Sequence, residues 1–164
     1  MKQFSEIQFF RQKWLWAIIL FFPVYSMYGI YEQIIMGNPI GGDKAISNDG
    51  LIWFTVLIGV GLPLLFYNIR LTTRVSEEGF HYQFFPIHLK ERTIPFRDIE
   101  SFKARKYSPL KEFGGWGIRF GFEGKAYNVS GDEGLQLVLK NKRKVLFGSQ
   151  KAKELEKAMK KASK

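Results

Sequence analysis

Two apolar runs near the N-terminus, Trp14 to Met36 and Leu51 to Ile69, constrain this chain more than any other feature. They are about 23 and 19 residues long, or roughly 34 and 28 Å of helix, against about 30 Å of bilayer hydrocarbon. Neither contains Lys or Arg, and the one acid, Glu32, falls near the end of the first. Runs of that length and composition predict membrane spans, and the short Gly-, Asn- and Pro-rich segment between them, residues 37–50, predicts a hairpin.

Charge divides the chain at the same place. Of 25 basic and 15 acidic residues only four of each precede residue 70, so the whole net charge of +10 belongs to residues 70–164. The expected organisation is an N-terminal segment with its hairpin in 1–69, with spans at about 14–36 and 51–69, and a soluble domain in 70–164. That domain is long enough for one small core. The absence of cysteine excludes disulfides and thiolate metal sites.

Flanking bases set the expected orientation. Lys2, Arg11 and Lys13 precede the first run and Arg70, Arg74, Lys90 and Arg92 follow the second, whereas the connection offers Lys44 against Asp43 and Asp49. The positive-inside rule then predicts a two-pass protein of the plasma (inner) membrane with both termini cytoplasmic. Trp14, Trp16, Tyr28, Tyr31, Trp53 and Tyr67 mark the interfaces. A signal peptide is disfavoured, because no small-x-small cleavage site follows and a second run comes soon after. Pro23 and Pro63 predict kinks, Gly59 and Gly61 a close backbone approach, and Glu32 beside Gln33 a solvated acid at a helix end. Two helices without an array of polar residues make no pore.

From Arg70 the period changes to two. Leu71, Thr73 and Val75 alternate with polar neighbours, then Phe80, Tyr82 and Phe84 do so beyond a Glu77-Glu78-Gly79 turn. Further strands are predicted at 98–107, 117–123, 126–130, 135–140 and 145–147, with 86–95 as a Pro-bounded connection. Ile118, Phe120 and Phe122 share one face. The last element is helical: Ser149 is the expected N-cap, and Ala152, Leu155, Ala158, Met159 and Ala162 form an apolar stripe. The fold class expected is α+β, with about seven antiparallel strands in a sandwich or partly open barrel capped by the C-terminal helix.

That order resembles the pleckstrin-homology (PH)-like fold. The residues that carry the resemblance are Leu71-Thr72-Thr73-Arg74-Val75-Ser76-Glu77-Glu78-Gly79, Ile94-Pro95-Phe96-Arg97-Asp98-Ile99, and Gly114-Gly115-Trp116-Gly117-Ile118-Arg119 followed by Lys125-Ala126-Tyr127-Asn128-Val129-Ser130-Gly131. Together they look like the signature of a family of uncharacterised prokaryotic two-span proteins with a bacterial PH-like domain. The resemblance implies lipid, peptide or self-association roles, since the fold does not fix an activity. PH-like lipid binders place headgroup cations between their first two strands. The corresponding turn expected here, Glu77-Glu78-Gly79, is acidic, so that pocket is not expected.

Two candidate surfaces remain. Lys103, Arg105, Lys106 and Lys111 are candidate contacts for anionic lipid, against which stands simple positive-inside bias. Trp116 and Arg119, with Phe113 and Tyr107, are candidate partner contacts, because Trp and Arg are enriched in interface hot spots. Gly114, Gly115 and Gly117 equally suit backbone turns of positive φ. No catalytic constellation is evident: His81 and His88 lack a third ligand, and Asp132-Glu133 sits in a Gly-flanked turn. The reading is a non-enzymatic membrane-anchored interaction module without cofactor or metal, binding a partner protein or a second copy. Nucleic acid is not expected. The alternatives are an anionic-lipid sensor and an accessory subunit of a membrane transporter or enzyme complex.

Overall fold

The computed structural model describes residues 4–164, apart from the side chain of Asp43; Lys2, one of the flanking bases, lies outside the described residues. The chain forms two compact units. One is Arg11–Asn68, and the other joins the residues up to Phe10 to Ile69–Lys164.

The first unit is a helical hairpin. Helices α1 (Lys13–Ile35) and α2 (Asn48–Asn68) have mean hydropathies of 1.4 and 2.0 and are long and apolar enough to cross a membrane. Only 17% and 11% of their most apolar windows are buried within the fold, so most of their hydrocarbon faces outward. Ser47 caps α2, its Oγ accepting the Gly50 N–H at 3.1 Å. The helices are in close contact at Gly59, where a Cβ would lie 2.6 Å from Ser26 Oγ. Gly61 has no such neighbour on α1; a Cβ there would meet only the Val56 carbonyl of its own helix. The Ser26 hydroxyl, buried at this crossing, donates to the Pro23 carbonyl at 3.0 Å. At the far end the Gln33 amide donates to the Ile46 carbonyl (2.7 Å) and to Asn48 Oδ1 (3.0 Å), tying the end of α1 to the start of α2. Segments Ile30–Ile35 and Thr55–Val60 are widened into π-helical turns. The second directly precedes the turn containing Pro63, which lacks the N–H that would bond the Gly59 carbonyl.

The second unit holds two sheets. Strands β1 (Phe4–Phe9), β2 (Arg70–Val75), β3 (Gly79–Phe85) and β4 (Arg92–Pro95) form one, in the order β1-β2-β3-β4. Strands β5 (Ile99–Lys106), β6 (Gly117–Gly121), β7 (Gly124–Asn128), β8 (Glu133–Leu139) and β9 (Lys144–Gly148) form the other, in the order β5-β8-β9-β7-β6. The described residues therefore contain nine strands rather than seven and close no barrel. The pair β7–β9 is parallel, so the expectation of a wholly antiparallel sheet fails there. The two strands beyond those expected from the sequence are β1 and the four-residue β4, which is too short to show an alternation.

Strand β1 also revises the domain boundary. Residues 4–9 pair antiparallel with β2, Phe4 opposite Val75 and Phe9 opposite Arg70. The strand unit is consequently discontinuous, and the hairpin is an insertion between its first two strands. Glu6 secures the arrangement: its carboxylate accepts the Ser149 hydroxyl (2.6 Å) and the Gln150 N–H (2.9 Å), while the buried Gln8 amide donates to the Gly148 carbonyl (2.7 Å).

Ser149 is thus engaged by β1 and is not the N-cap; the C-terminal helix (Ala152–Ala162) begins after Lys151. Its stripe packs as predicted, with Ala152, Leu155 and Met159 buried. Phe80, Tyr127 and Phe147 fill the space between the sheets, Phe147 lying 4.6 Å from Phe80 and stacked at 5.3 Å on Tyr127. Leu71, Val75, Leu135, Leu137 and Leu146 complete a fully buried apolar layer. Each such side chain contributes about 1.5–3 kcal/mol by leaving water.

Candidate functional site

The first candidate surface is the corner where β5 passes through a short helix, α3 (Pro109–Phe113), into β6; the C-terminal helix is then α4. Pro109 suits the first turn of α3, and Glu112 reaches back to accept the Ser108 N–H at 2.7 Å. Gly114 ends the helix in the left-handed conformation (φ +69°), and Gly115 and Gly117 also take positive φ. These glycines are backbone devices.

The corner separates the partner-contact residues into two kinds. Tyr107 and Phe113 are 5% and 4% exposed and pack with Ala126 and Leu146, edge to face with each other at 5.9 Å. They belong to the core, which corrects their assignment to a surface. Tyr107 Oη accepts the Asn128 amide at 2.9 Å, and Asn128 Oδ1 accepts the Gly117 N–H at 2.9 Å. Burial pushes the Tyr107 phenol up to about 12, the Asn128 bond opposing. Trp116 is half-buried, its indole N–H donating to the Gly131 carbonyl at 3.1 Å. Arg119 is exposed, with Nε on the Trp116 carbonyl at 3.0 Å. Of the four, Arg119 and part of Trp116 face solvent.

The predicted lipid contacts are also divided. Arg105 is engaged by Glu112 at 2.8 Å and by Gln136, and this pairing holds the Glu112 carboxyl below its usual range. Lys106 lies 3.9 Å from Glu133 across an exposed pair. Lys103 and Lys111 are exposed. None of the four lines the groove of about 780 Å³ described next.

A second site lies among residues that the sequence did not single out for binding. A groove of about 780 Å³ opens between the two sheets, bounded by Tyr82 and Arg92 on one side, Phe120 and Lys125 on another, and the Lys142–Lys144 turn. Lys125 Nζ sits 5.1 Å from the Phe120 ring centroid and 4.7 Å from that of Tyr127. The alternation of Ile118, Phe120 and Phe122 predicts one shared face, yet β6 ends at Gly121: Phe120 near its end is 76% exposed and Phe122, in the turn that follows, is 104% exposed. The sequence signal that points to it is a pair of Phe residues beside a Glu-Gly-Lys turn.

With that geometry in hand, comparison with known proteins is brief. A family model, DUF6141, a family of unknown function, matches residues 2–164. The chain belongs to this family. No curated protein and no solved structure matches it.

The two histidines of this DUF6141 chain are satisfied locally. His81 is 3% exposed between Ser76 Oγ (2.6 Å) and Thr93 Oγ1 (2.8 Å). His88 is 5% exposed, its Nδ1 accepting the Phe84 N–H at 3.4 Å. Burial, then neighbouring cations, lowers both: Arg74 acts on His81, and Arg92 and Lys125 on His88. Among the described residues no three His, Cys, Asp or Glu side chains gather as metal ligands.

Proposed function

We propose that this protein is a non-enzymatic interaction module of PH-like fold, held at the cytoplasmic face of the plasma membrane by two spans. The observation that carries the reading is the pairing of Phe4–Phe9 with Arg70–Val75 on either side of the hairpin. Two antiparallel neighbours cannot lie on opposite sides of a bilayer. The chain that leaves through α1 therefore returns through α2 to the side it left. Arg11 and Lys13 precede the first crossing and Arg70 follows the second, with Arg74, Lys90 and Arg92 further along the same unit, which favours the cytoplasm for that side.

The strand order supports the PH-like part. Without the β6–β7 hairpin, the unit reduces to a four-stranded meander, a second antiparallel sheet β5-β8-β9 and a C-terminal helix packed against both. Seven strands and a capping helix remain, and β6–β7 is then an insertion joined to the edge of β9. In this reading the connection between the first two strands, where PH-like lipid binders present their cations, is the membrane hairpin itself.

Tethering at two adjacent points suits recognition at the membrane surface. The partner is a second copy or another membrane protein, and Arg119 with the exposed edge of Trp116 is the contact. Gentle extraction into nanodiscs, followed by mass determination of wild type and Arg119→Glu, tests this. A defined oligomer or companion lost on substitution supports it, and a larger polytopic companion at fixed stoichiometry identifies an accessory subunit. A lone monomer in both cases removes the protein-contact reading.

A further inference from the structure

The two sheets of the strand unit end in four edge strands, β1, β4, β5 and β6. An unpaired edge is a row of backbone donors and acceptors ready to take another strand, and folded proteins blunt it. Three of the four are blunted here. Strand β1 turns Glu6 and Gln8 inward, onto Ser149 and Gly148. Strand β4 is four residues long and ends in Pro95. Along β5 the Ala104 N–H is taken by Glu156 of α4 at 3.0 Å.

Strand β6 carries no such protection. It joins β7 through the two-residue turn Phe122-Glu123, with Gly121 opposite Gly124. A pair that closes a two-residue turn is hydrogen-bonded, and bonded and non-bonded pairs alternate along antiparallel strands. Gly117, Arg119 and Gly121 therefore turn their backbone groups toward β7, and Ile118 and Phe120 turn theirs away. Among the described residues these outward N–H and C=O groups have no partner. The strand is also buttressed: α3 lies so close that a Cβ at Gly121 would overlap the Glu112 carbonyl.

Side chains on both faces of this edge select what can be added. Phe120, 76% exposed, stands on the groove side opposite Lys125. Arg119 takes the other face, its Nε on the Trp116 carbonyl. Arg92, Lys125 and Arg143 line the adjoining groove. Among the described residues no carboxylate pairs with these three cations or with Arg119. A second copy of the chain would set its own Arg119 and the same excess of bases against them. Like charges across a strand pair destabilise it, whereas acids there are favoured.

We infer that the open edge of β6 accepts an extended acidic segment of a partner protein as an added strand. Its backbone bonds to Ile118 and Phe120, an apolar side chain covers Phe120, and acids meet Arg119 and Lys125. This rests on the protein-contact reading of Arg119 and Trp116 and says how that contact is made. The β6–β7 hairpin lies outside the seven strands compared above with the PH-like fold, so the resemblance assigns it no role.

The probe is a dye-labelled heptapeptide, Glu-Val-Glu-Phe-Glu-Val-Glu, titrated into the full chain in phosphatidylcholine nanodiscs. Fluorescence anisotropy should show saturable binding, and hydrogen exchange within residues 117–121 should slow. Phe120→Pro removes one outward N–H that bonds nothing in the fold, at a position where an edge strand tolerates Pro. With melting unchanged, it should bind about tenfold more weakly than Phe120→Thr, which loses the ring alone; that is the weight of one net backbone hydrogen bond. The same peptide N-methylated throughout should not bind the unaltered protein, a test that needs no variant to fold. Lys-Val-Lys-Phe-Lys-Val-Lys should not bind either, and equal binding by it overturns the acidic partner. Binding that survives N-methylation is general charge attraction and overturns strand addition, as does no binding at all. Slowed exchange at 117–121 in concentrated protein without peptide replaces the acidic partner by a second copy. In native-membrane extraction, a companion lost with Arg119→Glu but kept with Phe120→Pro leaves the protein contact standing and overturns its strand form. A lone monomer in every variant removes the contact itself.

Discussion

The two units solve opposite solvation problems with similar residues. In Arg11–Asn68 large side chains point outward along both helices: Phe21, Val24 and Leu57 are 60%, 67% and 62% exposed. Polar anchors such as Gln33 and Ser47 sit at the helix ends. In the strand unit the order is reversed. Leu71, Leu135, Leu137 and Leu146 are fully buried, and charged side chains pair at the surface, as Arg74 does with Glu91 at 2.6 Å. The contrast teaches which exposed hydrophobes need an explanation. On the helices they fit a lipid solvent, as proposed. On the strand unit Ile7, Ile87, Leu89, Leu110, Phe120 and Phe122 are the exceptions to its own rule.

The comparison can be broken most directly at β1. Removing residues 4–9 strips β2 of its neighbour and Ser149 and Gln150 of Glu6, so the strand unit should lose cooperative unfolding altogether. Replacing residues 11–68 by a short turn from Phe10 to Ile69 should keep it folded, since Phe9 and Arg70 are already opposite one another. Circular dichroism melts of the two variants decide this. A cooperative melt after deletion would show that β1 is dispensable.

Leucine truncation sharpens the contrast between the units. Leu146→Ala should cost about 2–5 kcal/mol, while Leu57→Ala should stay within about 0.5 kcal/mol. Equal losses in chemical denaturation would mean that the hairpin packs like a soluble core. Asn128→Ala comes next: it leaves the Gly117 N–H and the buried Tyr107 hydroxyl without their partner, at about 1–3 kcal/mol. The mutant's melt tests this, and a neutral result would mean that water replaces the amide.

The smallest effect is on pH. His81 and His88 are held below the ordinary value of 6.5, so the folded strand unit binds their protons less readily than the unfolded chain does. Their contribution is complete above 6.5 and is lost as the pH falls through that value toward their lowered ones. Melting temperature should drop by a few degrees from pH 7.5 to 5.5, before the carboxylates titrate. His81→Gln should flatten the slope, and an unchanged slope would assign the loss elsewhere. The hairpin holds no histidine and should not respond.

Much of this was legible in the sequence. The two apolar helices follow from the length and continuity of their runs. Strands β2, β3, β5, β8 and β9 and the stripe of α4 follow from periods of two and 3.6. What escaped is of one kind. The segment 4–9 is an ordinary short alternating stretch, and its partner lies some sixty residues away beyond the hairpin, so only the register reveals a strand. Tyr107 and Phe113 read as an exposed aromatic loop, but α3 turns them inward against Ala126 and Leu146. Phe120 and Phe122 follow the pattern of a core strand and stand in solvent.

The sequence by itself determined the two apolar helices and most strands, because hydrophobic length and period act locally. The tertiary structure alone decided that the hairpin interrupts a domain, and which aromatic faces are covered. Periodicity records which side chains share a face. Whether another element lies over that face depends on contacts between distant segments, and no local pattern encodes those.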